Sequence, residues 1–134
     1  MSAENEMGAE LNLKFDAGGL ITAVTVDADT GEVLMVAHMN LQALEHTLAT
    51  GNATYWSRSR KKLWVKGEES GHVQRVQAVL VDCDQDAVVI KVKQEGVACH
   101  NGFRSCFYRA IEPHGKLRMI RERQADPAAI YGKK

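Results

Sequence analysis

Proline and aromatic residues are scarce: the 134 residues include two prolines and 6% Phe, Trp and Tyr. There is no Pro/Gly-rich linker, repeat or low-complexity segment to divide the chain. No apolar run approaches the ~18 residues of a membrane span. The first ten residues hold three glutamates and no apolar stretch, so they do not read as a secretory leader. Charge of one sign is also missing, because 17 basic residues face 17 acidic ones. A net charge of zero exerts no long-range pull on nucleic acid or an anionic membrane, and any such affinity needs a local patch. Three cysteines are an odd number and too few for a disulfide framework. In a reducing compartment they point to thiol chemistry or metal, and the expected location is cytoplasmic.

What is present is ordinary for a globular protein: 45% hydrophobic and 25% charged residues. The length fits one domain over 1–134, burying roughly two-thirds of its unfolded surface. Residues 1–13 and 122–134 are expected to be loose tails. Leu20, Thr22, Val24 and Val26 line one face of a strand. The turn Asp29-Thr30-Gly31-Glu32 leads to a second strand over 33–39, completing a hairpin. Asn40 is a good N-cap, Leu41, Leu44 and Leu48 recur at helical spacing, and Gly51 suits a left-handed C-terminus. One short helix is therefore predicted over about 41–50. Strand patterns follow at 53–57, 62–65, 73–82, 87–93, 105–111 and 117–120. The balance predicts an α+β fold, β-rich, with a mainly antiparallel sheet.

Four groups of residues are candidates for chemistry. Asp82, Asp84 and Asp86 alternate with Cys83 and Gln85. In an extended chain they share a face at roughly 7 Å spacing, with Cys83 on the other side. Three carboxylates so placed repel unless a cation joins them or the chain turns. Oxygen ligands suit Mg²⁺ or Ca²⁺, although an EF-hand is excluded because Ala87 and Lys93 stand where Gly and Glu are needed. An acidic turn between strands accounts for the same residues without a ligand. Cys83, Cys99 and Cys106 lack the paired spacing of zinc ribbons. Three thiolates still bind Zn²⁺ and leave a fourth position open, as catalytic zinc sites do. Three buried cysteines acting as small hydrophobes are the plain alternative.

His100 adjoins Cys99, and neighbours in an extended chain point opposite ways. We therefore read it as a general base near a metal-bound water rather than as a fourth ligand. Finally, five cations fall in the nine positions from Arg58 to Lys66, with Trp64 among them, Tyr55 and Trp56 just before, and Ser57, Ser59 and Ser70 in or near the stretch. Such a cluster suits phosphate, and the aromatic residues also suit stacked bases of single-stranded nucleic acid. A solvated amphipathic hairpin needs neither.

Taken together, these stretches resemble the phosphoribosyl-AMP cyclohydrolase family of histidine biosynthesis. The matching segments are Tyr55-Trp56-Ser57-Arg58-Ser59-Arg60, Leu63-Trp64-Val65-Lys66-Gly67-Glu68-Glu69-Ser70-Gly71, Asp82-Cys83-Asp84-Gln85-Asp86-Ala87, Ala98-Cys99-His100-Asn101-Gly102 and Arg104-Ser105-Cys106-Phe107. They stand in the family's order and spacing across about residues 20–112, in a chain of the stand-alone length. The resemblance implies hydrolytic opening of the adenine ring of phosphoribosyl-AMP between N1 and C6, the third step of L-histidine biosynthesis. It implies Zn²⁺ on Cys83, Cys99 and Cys106, Mg²⁺ on Asp82, Asp84 and Asp86, and His100 as the base. It implies an intertwined homodimer whose zinc site takes Cys83 from the partner subunit. Substrate contacts are implied at Trp56, Ser57, Arg58, Ser59, Arg60, Lys61, Lys66, Gly67, Glu68, Ser70, Gly71, Arg104 and Ser105. The usual zinc deaminase signature, H-x-E with P-C-x-x-C, is absent.

Two other functions fit parts of the sequence. A small zinc-stabilised module binding single-stranded nucleic acid would use residues 55–66, but net neutrality and the aspartate cluster oppose it. A scaffold with structural zinc alone would close its metal with four ligands. The expected partners are a nucleotide substrate and a second copy of the chain, with no nucleic acid and no membrane.

Overall fold

The computed structural model describes residues 7–130. The outermost parts of the two expected tails, 1–6 and 131–134, lie outside them. The elements run β1 (Ile21–Asp27), β2 (Val33–Met39), α1 (Leu41–Thr50), β3 (Thr54–Ser57), β4 (Lys62–Val65), β5 (Gln74–Val81), β6 (Ala87–Gln94), β7 (Arg109–Ile111), β8 (Leu117–Met119) and a final turn of helix, α2 (Pro127–Ile130). The chain is mostly sheet with one short helix of ten residues, an α+β arrangement as expected. None of the described helices is long and apolar enough to cross a membrane.

A four-stranded sheet of order β2-β1-β6-β5 forms the centre. Its outer pairings are antiparallel hairpins, but β1 runs parallel to β6. The sheet is thus mixed, because a long crossover through α1 and the β3–β4 hairpin returns the chain beside β1 in the same direction. Two small antiparallel ribbons, β3–β4 and β7–β8, flank it.

In β1 the face with Ile21, Ala23, Thr25 and Asp27 is the buried one. The even-numbered face singled out by its hydrophobicity is only half-covered. The helix packs against the odd-numbered side, together with β3, to form one core of Ile21, Ala23, Leu34, Met39, Leu44, Tyr55, Val88, Ile90 and Val92.

Asn40 caps α1 as expected, its Oδ1 accepting from the Ala43 amide at 2.8 Å. Gly51 ends it at φ 77°. The buried face of α1 is Ala43, Leu44 and Thr47, whereas Leu41 and Leu48 are exposed. Thr47 decides this. Its hydroxyl donates to Ala43 O at 2.8 Å and accepts the Thr54 amide at 3.0 Å, binding α1 to β3 along its small-residue side. The strand expected over 105–111 begins only at Arg109. Upstream, Ser105 Oγ donates to Val33 O at 2.7 Å and the Cys106 amide to Leu34 O at 2.7 Å, which ties this segment across β2 instead.

Both ends are hydrogen-bonded where described. The Gln85 side chain accepts the Asn12 amide at 2.6 Å and donates to Glu10 O at 3.1 Å. The amides of Gln124 and Ala125 donate to Gly102 O at 2.7 and 3.0 Å. Gly102 has φ +90°, and a Cβ there would overlap the Ala125 carbonyl, so only glycine lets the C-terminal segment lie so close.

Candidate active site

A cavity of about 630 Å³ opens between the β3–β4 hairpin, the turn after β4 and the loop that carries Cys99 and Cys106. Its hairpin wall contains Ser57, Ser59, Arg60, Lys62 and Trp64. The hairpin turn is closed by the Lys61 amide on Ser57 O at 2.8 Å and by the Arg60 amide on Ser57 Oγ at 3.2 Å. Lys61 itself takes φ 53° in that turn. Next come Lys66, Gly67, Glu68, Glu69 and Ser70. Gly67 has φ +83°, and a Cβ on it would collide with the backbone of His72 and Val73. The bend that brings Glu68–Ser70 to the cavity therefore requires glycine. The opposite wall is Ala98, His100 and Cys106.

Of the expected substrate residues, Ser57, Ser59, Arg60, Lys66, Gly67, Glu68 and Ser70 thus share one cavity with His100 and Cys106. Trp56, Arg58, Lys61 and Gly71 belong to the same hairpin and turn but do not line it. Arg104 and Ser105 are placed elsewhere. The Arg104 guanidinium is paired with Asp27 at 2.6 Å and Glu32 at 3.4 Å. Ser105 is fully buried in its hydrogen bonds to Val33 and Phe107. Sequence reasoning did not single out Met35, Lys62, Leu63, Trp64, Glu69 and Ala98 as lining residues. Lys62 and Trp64 stand at i and i+2 of β4, with Lys66 at i+4 just past its end, so a period of two contained the signal for both. Met35 comes from β2, distant in sequence, and had no local signal.

Buried polar chains support the walls. Tyr55 OH donates to Gln74 Oε1 at 2.6 Å and lies 2.6 Å from Thr25 Oγ1. Gln74 donates onward to Gln94 at 2.8 Å, and His72 Nδ1 accepts the Val97 amide at 2.8 Å, one residue before Ala98. Tyr55 is held neutral, its phenol raised by burial against the pull of Thr25.

Cys99 is buried and Cys106 exposed, and the two thiols interact. Crowding by surrounding atoms, and then Cys99, pushes the Cys106 thiol up from its ordinary value, while the Lys66 charge opposes this. Cys83 does not join them. Cys106 is tied to β2, and Cys83 follows β5, so they stand at opposite edges of the four-stranded sheet. Three strand spacings alone separate those edges by about 14 Å. The donor chemistry of Cys99 and Cys106 suits zinc, and one chain brings two such thiols together.

Asp82, Asp84 and Asp86 form the other group. The chain turns here rather than running extended: Gln85 takes φ 59°, and its amide donates to Asp82 O at 3.1 Å. One carboxylate oxygen from each aspartate lies within 4.8 Å of the others. Asp82 Oδ1 accepts the amides of Asp86 and Ala87 at 3.0 and 3.2 Å. Desolvation raises Asp82, but hydrogen bonds from Asp86 and Ala87 outweigh it and hold its pKa low. Asp86 is pushed up to about 6, first by hydrogen bonding to Asp84 and Asp82 and then by their charge. Three all-oxygen ligands this close suit a hard divalent cation.

A family model described as phosphoribosyl-AMP cyclohydrolase matches residues 35–108. Among similar proteins, the phosphoribosyl-AMP cyclohydrolase of Rhodopseudomonas palustris (strain BisB5) is 59% identical over 96% of this chain and 90% of its own length. That of Methanococcoides burtonii is 58% identical over 89% of this chain and 95% of its own. That of Methanothermobacter thermautotrophicus is 56% identical over 98% of both. With a match of this extent, the chain belongs to the phosphoribosyl-AMP cyclohydrolase family, hydrolases that act on C–N bonds of cyclic amidines.

Proposed function

We propose that this protein opens the adenine ring of 1-(5-phosphoribosyl)-AMP by hydrolysis between N1 and C6, yielding the formimino-imidazole-carboxamide ribonucleotide, a cytoplasmic step of histidine biosynthesis. The observation that carries the proposal is the cavity itself: it brings His100 and Cys106 to one wall and Arg60, Lys62 and the serines Ser57, Ser59 and Ser70 to the other. A substrate with a phosphate at each end and a base between needs that separation of cations from chemistry. The volume of about 630 Å³ is in the range of small-molecule sites. Three free cysteines fit a reducing compartment.

In this proposal Cys99 and Cys106 hold zinc together with Cys83 of the partner subunit, and Asp82, Asp84 and Asp86 hold magnesium. Zinc in such a site supplies the Lewis acidity that makes water a nucleophile at neutral pH. His100, exposed on the cavity wall, takes the proton from the attacking water. Arg60 and Lys62 hold a phosphate, and the Gly67–Ser70 turn positions a ribose. The homodimer is supported by apolar surface that one chain leaves uncovered: Val36 on one sheet edge, Leu80 and Val81 on the other, and Ile111, Leu117 and Met119 on the β7–β8 ribbon. It is also supported by the separation of Cys83 from Cys106, which a second copy removes.

The test is turnover of phosphoribosyl-AMP by purified protein, before and after chelation, with zinc then restored. Activity that is lost and regained with zinc is the expected result. A folded, zinc-loaded sample without turnover in the presence of Mg²⁺ refutes the proposal.

A further inference from the structure

Lys66 is unusual among the cations of this chain. It is 7% exposed, whereas Arg60 and Lys62 on the same cavity are exposed. An ammonium taken out of water costs several kcal/mol unless it is hydrogen-bonded and its charge is matched. Among the described residues no carboxylate lies within ion-pairing distance of Lys66. Its Nζ donates to Ala98 O at 2.5 Å and stands 5.4 Å from the centre of the Trp64 ring. Burial lowers its pKa from the ordinary value, and the nearby Cys106 and Cys99 oppose that shift. The side chain thus ends between an aromatic face and a backbone carbonyl next to Cys99.

We propose that Lys66 is a positioning residue: its Nζ braces the Cys99–Cys106 loop through the Ala98 carbonyl, rather than holding a substrate phosphate. The placement follows from β4 and the Gly67 bend. Lys66 is the last residue before the bend, and its amide donates to Ala53 O at 3.0 Å, so its backbone is anchored on the core side. The side chain then spans from the β3–β4 hairpin to the opposite cavity wall, linking the wall that carries Arg60 to the wall that carries His100. A group that ties a ligand-bearing backbone in place acts on the metal without touching it, and removing such a partner typically lowers metal affinity about 10–100-fold. The effect on zinc rests on the zinc site proposed above; the brace stands on the hydrogen bond alone.

The brace and its effect on zinc are tested separately. Amide hydrogen exchange is followed over residues 98–106 in metal-stripped wild type, Lys66→Met, Lys66→Gln and Lys66→Arg. In Lys66→Met these amides should exchange about tenfold faster or more while those of β1 and β6 do not change. Lys66→Gln, which keeps a donor without charge, should fall between. Unchanged exchange in the loop overturns the brace. Zinc affinity is then read by competition with a chromogenic chelator. It should fall about tenfold or more in Lys66→Met and less in Lys66→Arg, while KM for phosphoribosyl-AMP moves little. Unchanged zinc affinity with a raised KM makes Lys66 a phosphate ligand and overturns the proposal. If Lys66→Met does not fold, the comparison of Lys66→Gln with Lys66→Arg decides both points. Wild-type protein that takes up no zinc overturns the metal site, and the exchange data then decide the brace alone.

Discussion

Arg104 Nη2 stands 2.6 Å from Asp27 Oδ1, joining the loop of Cys99 and Cys106 to the end of β1. Asp27 is 4% exposed and also accepts from the Thr30 amide and hydroxyl at 2.8 and 3.0 Å. Desolvation raises its carboxyl, but the Thr30 bonds and the Arg104 charge outweigh it, so its pKa lies below the ordinary 3.8. A carboxylate lowered on folding stabilises the fold above the unfolded value, and that contribution is lost as pH falls below 3.8 through the folded value. Asp27→Asn should cost about 1–3 kcal/mol near neutral pH and flatten the acid limb of stability. Urea unfolding at a series of pH values checks this; an acid limb identical to wild type contradicts it.

The aspartate loop carries a different pH dependence. Asp86, raised to about 6, holds a proton below that value and competes with a bound cation. Its raised value favours the fold below the unfolded 3.8, and that contribution is lost as pH rises through about 6. Mg²⁺ affinity should therefore decline as pH drops below about 6, by up to about tenfold per unit for one proton. Asp84→Asn should weaken binding at every pH. Calorimetric titration with Mg²⁺ tests both, and a pH-independent affinity would leave the aspartates as a turn alone.

Tyr55 and Gln74 share a buried hydrogen bond of 2.6 Å and are both fully covered. Tyr55→Phe keeps the ring against Trp64 but leaves the Gln74 carbonyl and the Thr25 hydroxyl without this partner. The expected loss is about 1–3 kcal/mol. Chemical denaturation measures it, and a loss under about half a kcal/mol would mean the cavity wall does not depend on this bond.

Separation of Cys83 from Cys106 across the sheet leads to a complementation test. Cys83→Ala and Cys106→Ala should each be inactive alone. Unfolded together and refolded, they should regain roughly a quarter of wild-type activity, because about half of random dimers are mixed and each holds one intact site. No recovery from well-folded mixed dimers argues against sharing.

His100 lines the cavity without belonging to a cluster of three ligands among the described residues. His100→Ala should retain its zinc and lose about 100-fold or more in kcat. Zinc content by atomic absorption, measured alongside the pH–rate profile, separates the two roles: lost zinc makes His100 a ligand, and an unchanged profile removes it as the base.

Local signals determined much of this protein. Asn40 and Gly51 mark α1 to the residue, since capping depends on a few neighbouring atoms. The period of two in 87–93 and the motifs around Arg58–Gly71, Asp82–Asp86 and Cys99–Cys106 were legible for the same reason: spacing along the chain sets which side chains share a turn or face. Tertiary structure decided what lies across the chain. Hydrophobic alternation in β1 favoured its even face, but the packed core took in Ile21 and Ala23, and Thr25 and Asp27 are buried on that same side. The parallel pairing of β1 with β6 follows from a crossover whose direction no strand encodes by itself. Arg58, Arg60, Lys62 and Lys66 are equivalent cations in the sequence. Only the packed walls bury Lys66 against Ala98 and leave Arg60 and Lys62 open to a ligand, because burial depends on which distant segments close around a side chain rather than on the residue itself.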